Sequence, residues 1–366
     1  MTKRTRAKRR EGQGAAWALS LALVWATAAC EGKTDQAPAP TPAPTTAVSD
    51  AAPLPRVQVN VAPGCEAGAG ARVCFAGNVT ACRADGSLGA EVEQCPDGCA
   101  HGRCTQTCEA QGVELVYVID KANTLHAFDP RALPGEEFRR IGTLTCAAGD
   151  SPFSMTVDRR GVGWVLFHSG RMFRVSVVTG ACLGEVAFED SVPMMFGQAF
   201  VRDVAASPPQ EVLMISVNDD RPSSRLGALD LARTPASWRA IGPLPAGWIY
   251  TPDLTTTADG RLFAYVPPAV STPGDAGLVQ ELSPRTGKPV SRAMKIATGG
   301  EAGSARAWAL AHWGGTFYVF LTLDEDTRVY AVDRKTRASR LVRSGLPVPI
   351  LGAGVSTCAP LLERAP

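Results

Sequence analysis

The chain has 366 residues, and its 36 glycines and 28 prolines favour many turns over long helices. Its 37 Lys+Arg and 35 Asp+Glu nearly balance, and residues 1–29 hold six of the basic residues and one acidic residue, which leaves the remainder with a net charge of −3. That balance lacks the clustered positive charge that nucleic acid requires, so we expect no nucleic-acid partner.

Residues 1–29 have the organisation of a signal peptide. A basic head precedes a small and apolar run from Ala15 to Ala29, and Cys30 follows. A basic segment, an apolar stretch of this length and small residues before the cleavage point are typical of secretion signals. With cysteine first after the cut, the segment resembles a bacterial lipoprotein signal, which implies a lipidated Cys30 that anchors the protein in a membrane.

The signal departs from the usual lipoprotein pattern at one position. Thr27 stands where the family usually has leucine, so the alternative is an ordinary signal cleaved near Ala29, with Cys30 incidental. Glu31, rather than the aspartate that marks inner-membrane retention in many bacteria, follows Cys30. By that analogy we expect the outer membrane, with the protein on its periplasmic or surface face.

Residues 30–64 form a predicted tether. The segment 37–46 repeats proline and alanine without any apolar period, so it cannot bury enough surface to fold. In extended polyproline II it rises ~3.1 Å per residue, and the whole segment could reach on the order of 100 Å. Such a tether would lift a folded domain away from the membrane; a plain interdomain linker is equally compatible.

Residues 65–107 form a predicted disulfide module. Its few large apolar residues cannot hold about 40 residues together without covalent cross-links. Its closest cysteine spacings are C-x3-C and C-x4-C rather than the C-x2-C typical of zinc, so we expect disulfides, with zinc as the alternative. The module resembles short EGF-like or knottin-like units, and the sequence does not choose among its 15 connectivities. Its six cysteines are Cys65, Cys74, Cys82, Cys95, Cys99 and Cys104.

Residues 108–360 repeat short β-branched runs separated by Gly, Asp and Asn turns. The pattern is clearest over 153–188 and returns, less regularly, over 196–244, 253–266 and 308–333. Four strands per repeat at roughly 45–55 residues predict the blades of an all-β propeller. We count five blades, or six if the stretch between 190 and 300 contains one more.

The first repeat supplies only three strands before the second begins. The chain end, residues 350–356, provides a fourth and would close the ring, which removes an exposed sheet edge. Closure would bring Cys108, just before the first strand, next to Cys358, just after the last, and would leave Cys146 to pair with Cys182. With Cys30 assigned to lipid, the other ten of the eleven cysteines are all paired.

No catalytic or metal motif is present in the sequence. It has four histidines and lacks G-x-S-x-G, H-E-x-x-H and phosphate-loop patterns. His126 and His168 fall in predicted strands of neighbouring blades and could share a metal, although packing is the commoner role. Acidic runs at 219–220 and 324–326 could bind calcium in hairpin loops. Acidic residues are also common there as turn caps, so we predict no resident cofactor and no metal.

One surface stands out as a candidate binding face. The residues that begin the innermost predicted strands are aromatic or apolar with one arginine, and Trp, Tyr and Arg dominate interaction hot spots. The alternative is that the aromatic residues are packed between blades. The face comprises Phe153, Phe196, Tyr250, Arg306 and Trp308.

Taken together, these features resemble the lipoproteins of unknown function with propeller repeats that occur in myxobacteria. The resemblance implies a non-enzymatic protein- or glycan-binding module displayed at the cell envelope. Propellers also include sugar-lactone hydrolases and lyases, so an enzyme of that kind is the alternative, and a structural envelope component with no discrete ligand is a third. The innermost strands offer no recognisable acid–base or metal ring, which disfavours the enzyme.

Overall fold

In the computed structural model the described residues are 65, 68–95, 97–203, 210–220, 223–248, 250–268, 273–297 and 303–362. They all fall within the unit Val57–Pro366. The predicted signal peptide, Cys30 and the tether up to residue 64 lie outside them. Every regular element of the described residues is a β-strand, so the chain is all-β there. None of them forms a helix with the length and apolarity to cross a membrane.

The Cys-rich module consists of two small antiparallel sheets held by three disulfides. Its bridges are Cys65–Cys82, Cys74–Cys99 and Cys95–Cys104. Val79 is fully buried against Cys95 and Cys99, so the cystines themselves form much of the core. The strands are β1 (Arg72–Phe75), β2 (Asn78–Cys82), β3 (Leu88–Glu93), β4 (Cys99–Ala100) and β5 (Arg103–Cys104).

Sheet 1 of the large domain joins the two ends of that domain. Its order is β25-β6-β7-β8, so the last strand lies beside the first, antiparallel to it. This is the pairing expected from residues 350–356. The strands are β6 (Val116–Asp120), β7 (Thr124–Phe128), β8 (Phe138–Thr143) and β25 (Ile350–Gly354).

Four further antiparallel sheets follow in chain order, each built from four consecutive strands. The described part of the stretch between 190 and 300 holds two of them. Sheet 2 contains β9 (Pro152–Val157), β10 (Val162–Phe167), β11 (Met172–Ser176) and β12 (Cys182–Val186). Sheet 3 contains β13 (Gly197–Asp203), β14 (Gln210–Asp220), β15 (Ser223–Asp230) and β16 (Ser237–Pro243). Sheet 4 contains β17 (Asp253–Thr256), β18 (Leu262–Val266), β19 (Asp275–Leu282) and β20 (Met294–Ala297). Sheet 5 contains β21 (Ala305–Trp313), β22 (Thr316–Leu323), β23 (Asp326–Asp333) and β24 (Ser339–Leu346).

One edge strand of each sheet, here called its first strand, contacts the first strands of two other sheets, so the five form a closed cycle. The first strands are β25, β9, β13, β17 and β21. Glycine permits this close approach. A Cβ on Gly352 would lie 2.8 Å from the backbone nitrogen of Met155, and one on Gly197 would lie 2.1 Å from the carbonyl oxygen of Pro252. Both distances are well inside van der Waals contact, so no larger residue fits without moving a neighbouring strand.

The core lies between neighbouring sheets. Phe128 of sheet 1 packs edge-on against Phe320 and Tyr318 of sheet 5, with ring centroids 5.3 and 5.2 Å apart. Trp313 donates from Nε1 to the carbonyl oxygen of Glu114 at 2.7 Å, which fixes sheet 5 to the segment before sheet 1. The strands of the large domain are largely buried on both faces except for the outer strand of each sheet, which is partly exposed. These outer strands are β8, β12, β16, β20 and β24.

Aspartates that recur at the ends of strands cap the turns that follow. Oδ1 of Asp120 accepts from the amides of Ala122 and Thr124 at 2.8 and 2.9 Å. Asp129, Asp158, Asp230 and Asp333 accept in the same way from amides two residues further on. These hydrogen bonds satisfy backbone donors in the tight turns between strands.

Two disulfides tie the large domain. Cys108 is joined to Cys358 and Cys146 to Cys182, the two pairs expected from the sequence. The Cys-rich module is also held to sheet 2 by side chains that follow β9. Arg160 donates from Nη2 to the carbonyl oxygen of Ala76 at 2.7 Å, and Arg159 forms an ion pair with Asp97 at 3.2 Å.

Candidate functional site

A cavity of about 110 Å³ lies at the end of the domain where the first strands begin. Its lining includes Pro152, Gly197 and Asp253, the opening residues of β9, β13 and β17. Leu351 of β25 and Trp308 of β21 complete the wall, so all five sheets contribute. More than two thirds of the lining surface is apolar. A concave, largely apolar site with a few polar groups is the usual form of a binding pocket.

Trp308 is held in a fixed orientation at the cavity. Its Nε1 donates to the carbonyl oxygen of Thr251 at 3.3 Å, and its ring lies 5.5 Å from that of Tyr250 in an edge-on arrangement. The side chain is only half-buried. An indole fixed by a hydrogen bond and an aromatic neighbour, with part of its surface open, gives a rigid apolar contact face at low entropic cost.

On the opposite wall Phe153 packs against His168, with ring centroids 5.3 Å apart. The sequence analysis placed His168 within a strand, whereas in the structure it follows β10. Asp150 lies behind this pair, where its Oδ2 accepts from the amide of Ser169 at 3.2 Å. Desolvation raises the pKa of Asp150, but this hydrogen bonding and the nearby His168 lower it further, so the pKa lies below its usual value.

The rim of the cavity is cationic and apolar. Arg306 lines the cavity and is exposed. Met194 and Met195, in the segment between β12 and β13, are 62% and 47% exposed. Met194 lies against Gly170, two residues after the cavity residue His168. Exposed large apolar side chains beside a concave site are a feature of interaction surfaces.

Asp253 is a cavity residue that the sequence analysis did not single out. It is 4% exposed and lines the cavity. Its Oδ2 accepts from the amide of Leu310 at 2.7 Å, whereas Oδ1 has no hydrogen-bond partner among the described residues. Burial raises the pKa of this carboxyl well above its usual range, outweighing the opposing effect of nearby amides.

A signal for Asp253 was present in the sequence. The capping aspartates follow a strand, whereas Asp253 opens one, at the position that Pro152 and Gly197 hold in neighbouring sheets. A carboxyl group at the start of a buried strand cannot cap the turn that follows a strand. The position of Asp253 in the sequence alone therefore distinguishes it from the other aspartates.

The structure brings together most of the predicted binding face and removes one member. Phe153, Arg306 and Trp308 line the cavity, and Tyr250 packs on Trp308. Phe196 does not belong to this surface, because its ring is fully buried in the core between sheets 2 and 3. Its backbone still serves the site, since its carbonyl oxygen accepts from Oγ of Ser154 at 2.8 Å.

The two predicted histidine ligands lie in separate environments. His126 bonds through Nε2 to Oδ2 of Asp120 at 2.9 Å, whereas His168 packs on Phe153. Asp326 binds Arg328 at 2.6 Å and the amide of Gly345 at 2.9 Å. The 219–220 pair ends β14. In the part of the chain that the structure describes, no three His, Cys, Asp or Glu side chains are close enough to hold a metal ion.

A second buried acidic group lies at the opposite ends of the first strands. Glu211 of β14 accepts at Oε2 from the amide of Arg159 at 2.9 Å and at Oε1 from Oγ1 of Thr357. Burial, with Asp158 nearby, raises the pKa of Glu211 to about 7. Burial likewise raises the pKa of Asp158. These groups lie beneath the Cys-rich module and not at the cavity.

No family model and no curated protein matches this chain. Among solved structures, a chain from the crystal structure of a mitotic checkpoint complex is similar over 63% of this chain, at 12% identity and a TM-score of 0.32. The present chain covers 62% of that chain.

Proposed function

We propose that the five four-stranded sheets are the blades of a five-bladed β-propeller. Two observations support this: the first strands contact one another in a closed cycle, and the chain end completes sheet 1 rather than starting another sheet. The last strand covers the edge of β6, which would otherwise lack a partner on that side. The cavity then occupies one mouth of the central channel.

We propose further that the protein is exported and anchored through a lipidated Cys30, with the propeller displayed at the outer membrane. Five disulfides in the described residues indicate an oxidising compartment. The basic and apolar leader that ends at Cys30 supports lipid attachment. Likeness to myxobacterial lipoproteins belongs to the same proposal.

The proposed role of the propeller is to bind a partner, protein or glycan, at the channel mouth. The observation that carries this role is the cavity itself, where a rigid indole, a phenyl ring and an exposed arginine converge on an otherwise apolar concave surface. Trp and Arg in such pockets supply most of the binding energy at protein interfaces.

Site-specific photo-crosslinking in the native cell tests this role. A photoreactive amino acid at Met194, exposed beside the cavity, is compared with one at Leu341, which is 51% exposed on the outer strand β24. We expect discrete adducts from position 194 only, and their loss when Trp308→Ala is added without a change in thermal midpoint. Equal adducts from both positions, or none from either, would contradict the proposal.

A second candidate, a propeller hydrolase or lyase, is favoured by one observation. Asp253 is a buried carboxyl whose pKa is raised by burial, at a cavity that His168 also lines, and a carboxylic acid kept neutral at pH 7 can serve as a general acid. Asp253→Asn separates the two functions. The amide keeps a donor in place of Oδ1 but has no proton to transfer, so an enzyme would lose turnover by about 10²-fold or more, whereas a binding protein would retain its ligand. A structural envelope component is the third candidate, and neither a bound partner nor turnover would be found for it.

A further inference from the structure

A groove runs between the Cys-rich module and sheet 2. Its volume is about 630 Å³, within the ~300–1,000 Å³ of sites that enclose a ligand. Its walls are strand β1 of the module and the turn between β11 and β12. The turn that follows β9 also lines it, and since β9 begins at the cavity, the groove lies at the opposite end of sheet 2. The groove is therefore separate from the cavity.

The lining of the groove is suited to an apolar chain segment. Most of the lining surface is apolar, and none of the described residues that form it is acidic. Phe75, Leu88 and Leu183 are only partly buried, and Val178 in the turn between β11 and β12 is 42% exposed. Large apolar side chains left open in a concave surface are typical of a site that another apolar surface covers.

The chain itself supplies a candidate occupant. Residues 57–61 lie outside the described residues, and their sequence has a valine at every second position, with glutamine and asparagine between them. Alternate side chains of an extended chain point the same way, so the three valines would form one apolar face. Residues 37–46 of the predicted tether consist only of Ala, Pro and Thr and offer no such face.

The segment is joined to the groove by a short stretch of chain. Cys65 is buried in a cluster with Val73, against which Leu88 also packs, and Val73 and Leu88 both line the groove. Only residues 62–64 separate the segment from Cys65, so at ~3.3 Å per residue the segment ends within about 13 Å of that residue. An occupant tethered this closely has an effective concentration in the millimolar range, which favours it over any free partner.

We propose that residues 57–61 dock in this groove, with their valine side chains packed between Phe75 of the module and Val178 of sheet 2. Docking covers apolar surface that is open among the described residues. It also fixes the point at which the predicted tether leaves the folded protein. The free tether is then residues 31–56, and its extended reach falls to on the order of 80 Å.

Photo-crosslinking of the purified full-length protein tests the inference. A diazirine amino acid replaces Val178, and mass spectrometry identifies the peptide to which it links on irradiation. A mixture of heavy-isotope-labelled and unlabelled protein distinguishes a link within one chain from a link between two. We expect the main product to join position 178 to residues 57–61 of the same chain. The same amino acid at Leu341, exposed on the outer strand β24, should give no such product.

Two variants give a matched comparison. Serine in place of the three valines should lower the yield of this link more than about tenfold, since burial of each valine favours the docked state by about that factor or more. Serine in place of three alanines of the tether should leave the yield unchanged. Thermal midpoints within a few degrees of the wild type show that the large domain is folded. The changes are Val57→Ser, Val59→Ser and Val61→Ser in the test variant and Ala37→Ser, Ala39→Ser and Ala43→Ser in the control.

Three results would overturn the inference: no link from position 178 to residues 57–61, a link that persists in the valine variant, or an equal yield from position 341. A link to residues 57–61 of a second chain would overturn it as well, and would show that the groove joins two copies of the protein. The inference does not depend on what the cavity binds, so its failure leaves the proposed binding role unaffected.

Discussion

The buried carboxyl of Glu211 gives the protein a pH-dependent stability whose sign and size follow from the structure. Its pKa is raised from 4.5 to about 7 in the folded protein, so between these values the folded state binds the proton and the unfolded state does not. Stability from this group is therefore fully present below about pH 4.5 and is lost as the pH rises through 7. Replacement by glutamine mimics the protonated form at every pH.

The magnitude follows from the two pKa values. Each pKa unit corresponds to about 1.4 kcal/mol, so the full effect is about 3 kcal/mol, most of it lost between pH 5 and pH 8. His312 acts in the opposite direction over part of this range, because burial lowers its pKa from 6.5 to about 3. Its unfolded form takes up a proton below pH 6.5, so its contribution is lost as the pH falls.

The difference between wild type and Glu211→Gln cancels the contribution of His312 and of the other groups that do not interact with Glu211. Guanidinium unfolding with the disulfides intact, at pH 5, 6, 7 and 8, measures it. We expect nearly equal free energies of unfolding at pH 5 and an advantage of about 2–3 kcal/mol for the glutamine variant at pH 8. A constant difference across the series, or one that favours the wild type at high pH, would refute the burial-based reasoning.

Two further predictions concern stability. Removing the Cys108–Cys358 bridge, which spans 250 residues, should lower the free energy of unfolding by roughly 5–6 kcal/mol by the loop-entropy relation. Removing the Cys146–Cys182 bridge, which spans 36 residues, should lower it by roughly 4 kcal/mol. Denaturant titrations of the paired Cys→Ser variants check this order, and a larger loss from the shorter loop contradicts it. His312 is fully buried with neither ring nitrogen bonded within the described residues, so His312→Leu should raise the free energy of unfolding by about 1–3 kcal/mol at pH 7, and a decrease would show that the ring nitrogens have partners.

The repeats were predictable because they depend on local chemistry. Turn aspartates such as Asp158 and Asp333 and the alternating outer strands leave a period that is visible in one sequence. Closure by residues 350–356 was predictable too, since sheet 1 lacked one strand and a cysteine stood at each end of the domain. These features need no knowledge of which residues meet across sheets.

The site was predictable only in part. Phe153, Arg306 and Trp308 were found because aromatic and cationic residues open the innermost strands. The burial of Phe196 could not be inferred, because it depends on how sheet 3 packs against sheet 2. The raised pKa of Asp253 depends on its burial in the folded domain, which no local segment of the sequence reveals.

The Cys108–Cys358 bridge has a consequence for damage. Any single peptide-bond cleavage between residues 109 and 357 leaves two pieces that are still covalently joined, since both carry one half of this cystine. A protease could therefore nick an exposed loop of the large domain without releasing either fragment from the rest of the chain. On a denaturing gel such a nicked molecule would migrate as one species until its disulfides are reduced, and only then would the cleavage be visible.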